Sequence, residues 1–332
     1  MKNGEARFEY FLNQLQELLV KASRQKNAAL WLYRNNARTP LFMLEALAKM
    51  YAAIHNKKKF TKLKEQFKLL EDAIGAIDFY DSYARELTAN KKIPKQVISY
   101  LQAQCREKVQ SLNEILKEKK WLGKNNTRMT KIKKRLVKAD WQNEKEDIKS
   151  IQAYYITAIN KILEFINEKD FHFTNVEDDV HEFRRMIRWL SIYPQALRGC
   201  IQLSQTKAAI PKYLSKYLTK EITGSPYNLM PDAGTQKHFL LLEKNRFYAL
   251  SWLIAELGNL KDNGLKVEAI KEALVKISIL DEKAATAQAY KLSGPKQKTI
   301  DGLLNTAEDL CKTYCKEKNL ESLIAGFAAV KN

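Results

Sequence analysis

Apolar residues recur every three to four positions over long stretches of this chain, separated by short polar breaks. Phe8, Phe11, Leu12, Leu15, Leu18 and Leu19 form one stripe of an amphipathic helix that starts near Glu5. Leu41, Leu44, Leu47, Met50 and Tyr51 predict a second helix, ended by Asn56 and the run Lys57, Lys58, Lys59. Phe67, Leu70, Ile74 and Ile77 predict a third. Pro94 marks the start of another, continued by Val97, Leu101, Val109, Leu112 and Leu116. Residues 122–127 (LGKNNT) are the natural central junction, and a helical pattern follows from 128 to 166. Beyond the stretch 171–179 a helix begins at Val180. Residues 223–236, with Pro226 and Pro231, read as irregular; 239–257, 267–280 and 299–314 read as helices, and 293–298 as a loop. The count is about ten helices of bundle type.

Composition strengthens this expectation of an all-α fold. Eleven glycines and seven prolines in 332 residues are too few for the many turns of a sandwich, a barrel or an α/β fold. Neither a G-x-G-x-x-G nor a G-x-x-x-x-G-K-[ST] loop occurs, which disfavours nucleotide-loop enzymes. No apolar run approaches the ~20 residues of a membrane span. The first twenty residues interleave Arg7, Glu9, Asn13, Gln14 and Glu17 with apolar ones, unlike a signal peptide.

Charge narrows the function. Lys and Arg number 57 against 38 Asp and Glu, a net +19, and such self-repulsion suits a polyanionic partner: nucleic acid, an acidic membrane surface or a phosphate polymer. The chemistry of catalysis is sparse. Cys105, Cys200, Cys311 and Cys315 form no disulfide framework, and only the last two are a helical turn apart, so reduced cytosolic thiols are expected. His55, His172, His181 and His238 are scattered. Glu177 and His181 are one turn apart without a second carboxylate–histidine pair. No catalytic residue, metal or cofactor is expected. Trp31, Tyr33, Trp141, Tyr154, Tyr155 and Trp252 read as core rather than as stacking platforms.

The basic residues fall in three groups. In the segment from Val180 to Leu190, Phe183, Met186, Ile187 and Leu190 form an apolar stripe, while His181, Arg184, Arg185 and Arg188 form a cationic one about 200° around the helix. Like charges one turn apart repel, so a face built for solubility alone would mix signs. Guanidinium forks suit phosphate. Asp178 and Asp179 complement the helix dipole at its start. A second stripe holds Arg128, Lys131, Lys134, Arg135 and Lys138, and between residues 117 and 138 ten lysines and arginines face one acid, Glu118. A third group is Lys57, Lys58, Lys59, Lys62, Lys64 and Lys68.

The segment D-D-V-H-E-F-R-R-M-I-R, with His181 followed by Arg184 and Arg188, resembles the signature of the CHAD (conserved-histidine α-helical) domain family. The family's L-G-x-x-[RN]-D is matched by Leu257-Gly258-Asn259-Leu260-Lys261-Asp262, with Lys in the fifth place. Family members are built as two similar halves. A first copy is matched by Ile74-Gly75-Ala76-Ile77-Asp78, preceded by Lys68, and by Asn35-Asn36-Ala37-Arg38, where the histidine is lost and Phe42 stands at +7. Trp31, Arg34 and Arg38 offer a rival register, and Lys49 falls on a further basic position. About 37 residues are inserted in the second half, within 200–237, by comparison with the first.

The resemblance implies two antiparallel helical bundles related by an approximate internal repeat, residues 1–122 and 123–332, facing each other across a basic groove or pore. It implies non-catalytic binding of inorganic polyphosphate, in the cytoplasm and in association with polyphosphate granules. His181, Arg184, Arg185 and Arg188 would be the core of the site. Arg38, Lys49, Lys68, Arg128, Lys131, Lys134, Arg135 and Lys138 would contribute. The alternatives are a nucleic-acid-binding helical protein, an enzyme of polyphosphate or nucleotide metabolism, and a scaffold that has lost ligand binding.

Overall fold

Short polar side chains start many of the helices. The computed structural model describes residues 2–123, 127–204, 210–277, 280–294 and 297–329. After α1 (Asn3–Ala22), Asn27 caps α2 (Ala28–Arg34) by accepting from Leu30 N. α3 (Arg38–Ile54) carries Pro40 in its first turn, where a missing N–H costs nothing. Asn56, the residue that breaks the apolar pattern, caps the 32-residue α4 (Lys57–Thr88) through Lys59 N. Pro94 precedes α5 (Lys95–Glu118) as the sequence predicts. α6 (Thr127–Val137) follows the junction, whose residues 124–126, Lys124 among them, lie outside the described residues. Asn143 caps α7 (Glu144–Glu168), and Glu144, Glu146 and Asp147 add negative charge at its positive end.

The approach to α8 (Glu182–Ala196) is not the plain helix start expected at Val180. Residues Val176–His181 form a π-helical turn, capped by Asn175, which accepts from Glu177 N and Asp178 N. Asp179 is buried and accepts from Thr174 N and Asn175 N, so it ties down the preceding loop as well as carrying charge.

The second half departs further from expectation. Residues 239–242 are not helical. They belong to β2 (His238–Leu242), the middle strand of a three-stranded sheet with β1 (Ile201–Leu203), parallel to it, and β3 (Ile324–Ala329), antiparallel. Between β1 and β2 the chain holds only short turns, including α9 (Lys220–Thr223), and residues 205–209 lie outside the description. The expected helices 239–257 and 267–280 are one 34-residue helix, α10 (Lys244–Ile277), with 278–279 not described. It runs unbroken through Gly258 and Gly264, and tertiary packing offsets the roughly 1 kcal/mol each glycine costs a helix. α11 (Glu282–Ser293), capped by Asp281, lies outside the helices that the apolar pattern predicts; α12 (Ile300–Lys316) matches the expected helix 299–314, and residues 295–296 of the expected loop between them lie outside the described residues. The chain is mainly all-α, with the sheet as a small addition.

One apolar core draws on both halves of the chain, from Phe8 on α1 to Leu323 before β3. Trp141 and Tyr155 are buried in it, while Trp31, Tyr33, Tyr154 and Trp252 are half-buried against it. Cys200 and the buried Cys311 and Cys315 belong to it, and burial pushes the Cys315 thiol up to about 12. A second, smaller core lies at the far ends of the long helices, where Tyr83, Leu87, Val97 and Leu101 meet Val267, Ile270, Ala273 and Ala289. Among the described residues, no helix is long and apolar enough to cross a membrane.

The main core encloses a charged group. Arg7 is 2% exposed; its Nη1 pairs with Asp147, and Tyr51 donates to the other carboxylate oxygen at 2.9 Å. Arg7 Nε and Nη2 are buried with no hydrogen-bond partner among the described residues. Removing one member of such a pair strands a desolvated charge. Asp147→Ala is therefore expected to destabilise the fold by about 3–5 kcal/mol, and Tyr51→Phe by about 1 kcal/mol. Urea unfolding of the two variants checks the ranking; equal losses would show that the Arg7 charge is not what Asp147 compensates.

Candidate functional site

α3 and α8 pack side by side, and the cationic residues of both helices open into the space between them. The apolar stripe of α8 behaves as its spacing predicts: Phe183, Ile187 and Leu190 are fully buried and Met186 packs partly against the core. The opposite stripe points into a cleft of about 330 Å³, lined by Arg38, Lys49, Lys64, Lys68, His181, Arg184, Arg185 and Arg188, with Phe42 and Trp189. A second cavity of about 680 Å³ adjoins it and shares Arg38, Phe42, Arg184, Arg188 and Ile192.

Two glycines shape the walls. Gly75 and Gly258 lie inside α4 and α10. A Cβ on Gly75 would lie 2.9 Å from Arg38 Nη2; one on Gly258 would lie 3.0 Å from Arg184 Nη2. In each half, then, an arginine near the start of a shorter helix rests on the bare backbone of a long helix.

The cations differ in how far they are compensated. Arg38 is held by Glu71, at 2.6 Å, and by Asp78, at 3.2 Å. These acids on α4 counter the positive helix end at which Arg38 stands. Lys68 pairs with Asp72 one turn on. The α8 stripe is less purely cationic than its sequence suggests, because His181 pairs with Glu177 and Arg185 with Glu182 along the same stretch of chain. Arg184 has no carboxylate partner among the described residues; its Nε donates to Ile254 O at 3.1 Å. Among the described residues, the guanidinium of Arg188 makes no hydrogen bond or ion pair, and lies 4.7 Å from the Phe42 ring centre. Lys49 stands 4.6 Å from the Trp189 ring centre and also lacks an ion-pair partner.

The electrostatic consequence is direct. Burial, then the neighbouring Arg184 and Arg38, push Arg188 down to about 10. Burial and the charge of Arg185 lower Lys49 to about 8. Glu45, one turn before Lys49, is only 5% exposed, and burial lifts its carboxyl to about 7. The smaller cleft counts seven lysines and arginines against three carboxylates, Glu45, Glu71 and Asp72.

Seven of the twelve expected site residues thus meet: Arg38, Lys49, Lys68, His181, Arg184, Arg185 and Arg188. The other five, Arg128, Lys131, Lys134, Arg135 and Lys138, do not line either cavity. α6 buries Met129, Ile132 and Leu136 and carries its cations elsewhere: Arg128 Nη1 reaches Gln66, and Lys59 Nζ donates to Lys138 O. The lysine run on α4 is split between the two surfaces, Lys64 and Lys68 facing the cleft and Lys59 facing α6. Glu45, Glu71 and Trp189 gave no signal in the sequence. Among the described residues, no three histidines, cysteines or carboxylates converge as a metal site. Comparison of the chain with protein-family models, curated proteins and solved structures finds no match.

Glu45 gives the fold a pH dependence with a definite sign. Its folded pKa is raised from 4.5 to about 7, so the folded chain retains a proton that the unfolded chain releases in that window. Stability is lost as pH rises from about 4.5 to 7. Glu45→Gln is expected to stabilise the protein at pH 8 by about 2 kcal/mol, with the gain shrinking toward pH 5. Thermal melts at both pH values test this; a gain independent of pH would remove Glu45 as its source.

Proposed function

We propose that the α3–α8 cleft binds inorganic polyphosphate without turning it over. The observation that carries this reading is the set of uncompensated cations, Arg184, Arg188 and Lys49, held in one cleft at an electrostatic cost to the protein. An incoming phosphate chain brings about one negative charge per unit and the acceptor oxygens these groups lack. The paired cations, Arg38, Lys68 and Arg185, extend the field along the cleft. We read α3–α4–α5 and α8–α10–α11 as two copies of one unit, each supplying an arginine over a glycine. A protein holding the polymer in this way would associate with polyphosphate granules.

The aromatic side chains support a bare phosphate chain over nucleobases. Arg38 and Arg188 both lie over Phe42, and Lys49 over Trp189, so these rings already face cations rather than open space. The exposed cations of α6 support nucleic acid as a second reading, on a surface separate from the cleft.

Changing Arg184 and Arg188 together to Gln is expected to weaken polyphosphate binding at least about tenfold and to flatten its salt dependence, because two phosphate-pairing cations are gone. The cost in stability should stay near 1 kcal/mol, the worth of the Phe42 contact. Anisotropy of a labelled polymer at several salt concentrations checks it, with duplex DNA as competitor; unchanged binding by the double variant rejects the cleft. The same site predicts a pH trend. Rising pH removes the Glu45 proton near 7 and the Lys49 proton near 8, and both losses make the cleft less positive. Affinity should fall steadily from about pH 6 to 9, and Lys49→Arg should flatten the upper part of that fall.

A further inference from the structure

The two cavities that share Arg38, Arg184 and Arg188 are chemically unlike. The smaller adds Lys49, Lys64, Lys68, His181 and Arg185 to the shared residues. The larger, about 680 Å³, adds no lysine or arginine among the described residues, and its only carboxylate is Glu221. Its walls are Met43, Ile192, Ile222, Ile254 and Ala255, with serine, threonine, asparagine and glutamine side chains between them. Several of these polar groups are already engaged: Ser251 donates to Asn228, Thr39 to Asn36, and Gln195 to the Tyr227 and Leu229 carbonyls. At the rim, Tyr227 is 81% exposed, an unusual position for a large ring in a folded chain.

A phosphate chain gains little in such a place. Its charges would leave water for apolar walls without new cations to meet them. An uncharged organic body gains there, and the volume lies within the roughly 300–1,000 Å³ of small-molecule pockets. The shared arginines stand between the two environments, where the ester oxygen of a phosphorylated compound would lie.

We infer that the larger cavity takes the organic body of a phosphate ester whose phosphates enter the cationic cleft past Arg184 and Arg188. The inference rests on the anion-binding reading of that cleft and names the ligand end that reading leaves open. The segment between α8 and α10 supplies the recognition surface, through Ile222 and Tyr227. Two kinds of compound share this chemistry, a nucleoside phosphate and an alkyl or lipid phosphate.

Calorimetry with four probes tests it: inorganic tripolyphosphate against adenosine triphosphate, and inorganic phosphate against octyl phosphate. Tripolyphosphate carries the larger charge, so an advantage of the nucleotide comes from the organic body. At least one ester should bind about tenfold tighter than its inorganic counterpart, as burial of a modest apolar area implies. An advantage confined to the nucleotide identifies a nucleoside body, and one confined to octyl phosphate an alkyl body. Ala255→Trp, at an exposed position on α10, should fill the cavity and cancel the advantage while leaving tripolyphosphate binding unchanged. Tyr227→Ala, at the rim, should reduce it several-fold. Inorganic probes binding as well as both esters would overturn this inference and leave the polyphosphate reading standing; so would an advantage untouched by both variants. Failure of all four probes to bind would overturn both.

Discussion

A guanidinium cannot lie flat on an α-helix that carries a side chain at the point of contact. Gly75 on α4 and Gly258 on α10 remove that obstacle, and Arg38 and Arg184 occupy the space a Cβ would claim. The close approach seats both cations on backbone; Glu71 and Asp78 also hold Arg38 by charge, whereas Arg184 has no carboxylate partner among the described residues. Arg184 needs no acid to hold it, because its Nε is fixed on the Ile254 carbonyl and its planar group rests on Gly258. That leaves its remaining donors free for something from outside. Replacing an acid by a glycine as the anchor of an arginine preserves the charge instead of cancelling it.

The cleft is consequently out of balance. Buried cations and carboxylates are stable when paired, and this fold pairs some of them and not others. Glu71 is matched by Arg38, and Asp72 by Lys68. Arg188 and Lys49 stand over ring faces and form no ion pair among the described residues, and Glu45 answers its burial by holding a proton up to about pH 7. A fold selected for stability alone would fill these positions with apolar residues. The large core beneath α3 and α8 offsets these local costs.

Much of the helical frame is legible in the chain because local rules and packing agree there. The apolar stripe through Phe183, Ile187 and Leu190, the cap at Asn56 and the start after Pro94 all survive in three dimensions. Failures arise where tertiary context overrides periodicity. The five residues of β2 are an apolar run too short to separate strand from helix, and their partner β3 lies some ninety positions away. Gly258 looks like a stop signal, yet a long helix crosses it for the sake of Arg184. The cationic residues of α8 were visible through their spacing. The spacing of Glu177 and His181, one turn apart, is visible too, but nothing in the sequence marks Glu182 as the partner of Arg185. The stripe on α6 is as basic as that on α8 but has a different address, which only the packing of α6 beside α1 and α4 reveals. Glu45 is the hardest case, because nothing in a sequence marks a glutamate as buried.

The two long helices, roughly 50 Å each at 1.5 Å per residue, are joined at both ends of their span. Near one end α3 packs on α8, and each packs on its own long helix. At the other end α10 and α11 meet α4 and α5, and Tyr80 and Tyr100 both donate to Glu272. Connected in this order, the helices make a closed frame rather than a hinged jaw. Widening the gap between α3 and α8 would require breaking one side of that frame, so the opening is held at a set width before anything enters. On the proposed reading, a ligand would enter by motion of side chains such as Arg188 and Lys49, not of helices, and little ordering entropy would be left to spend on binding.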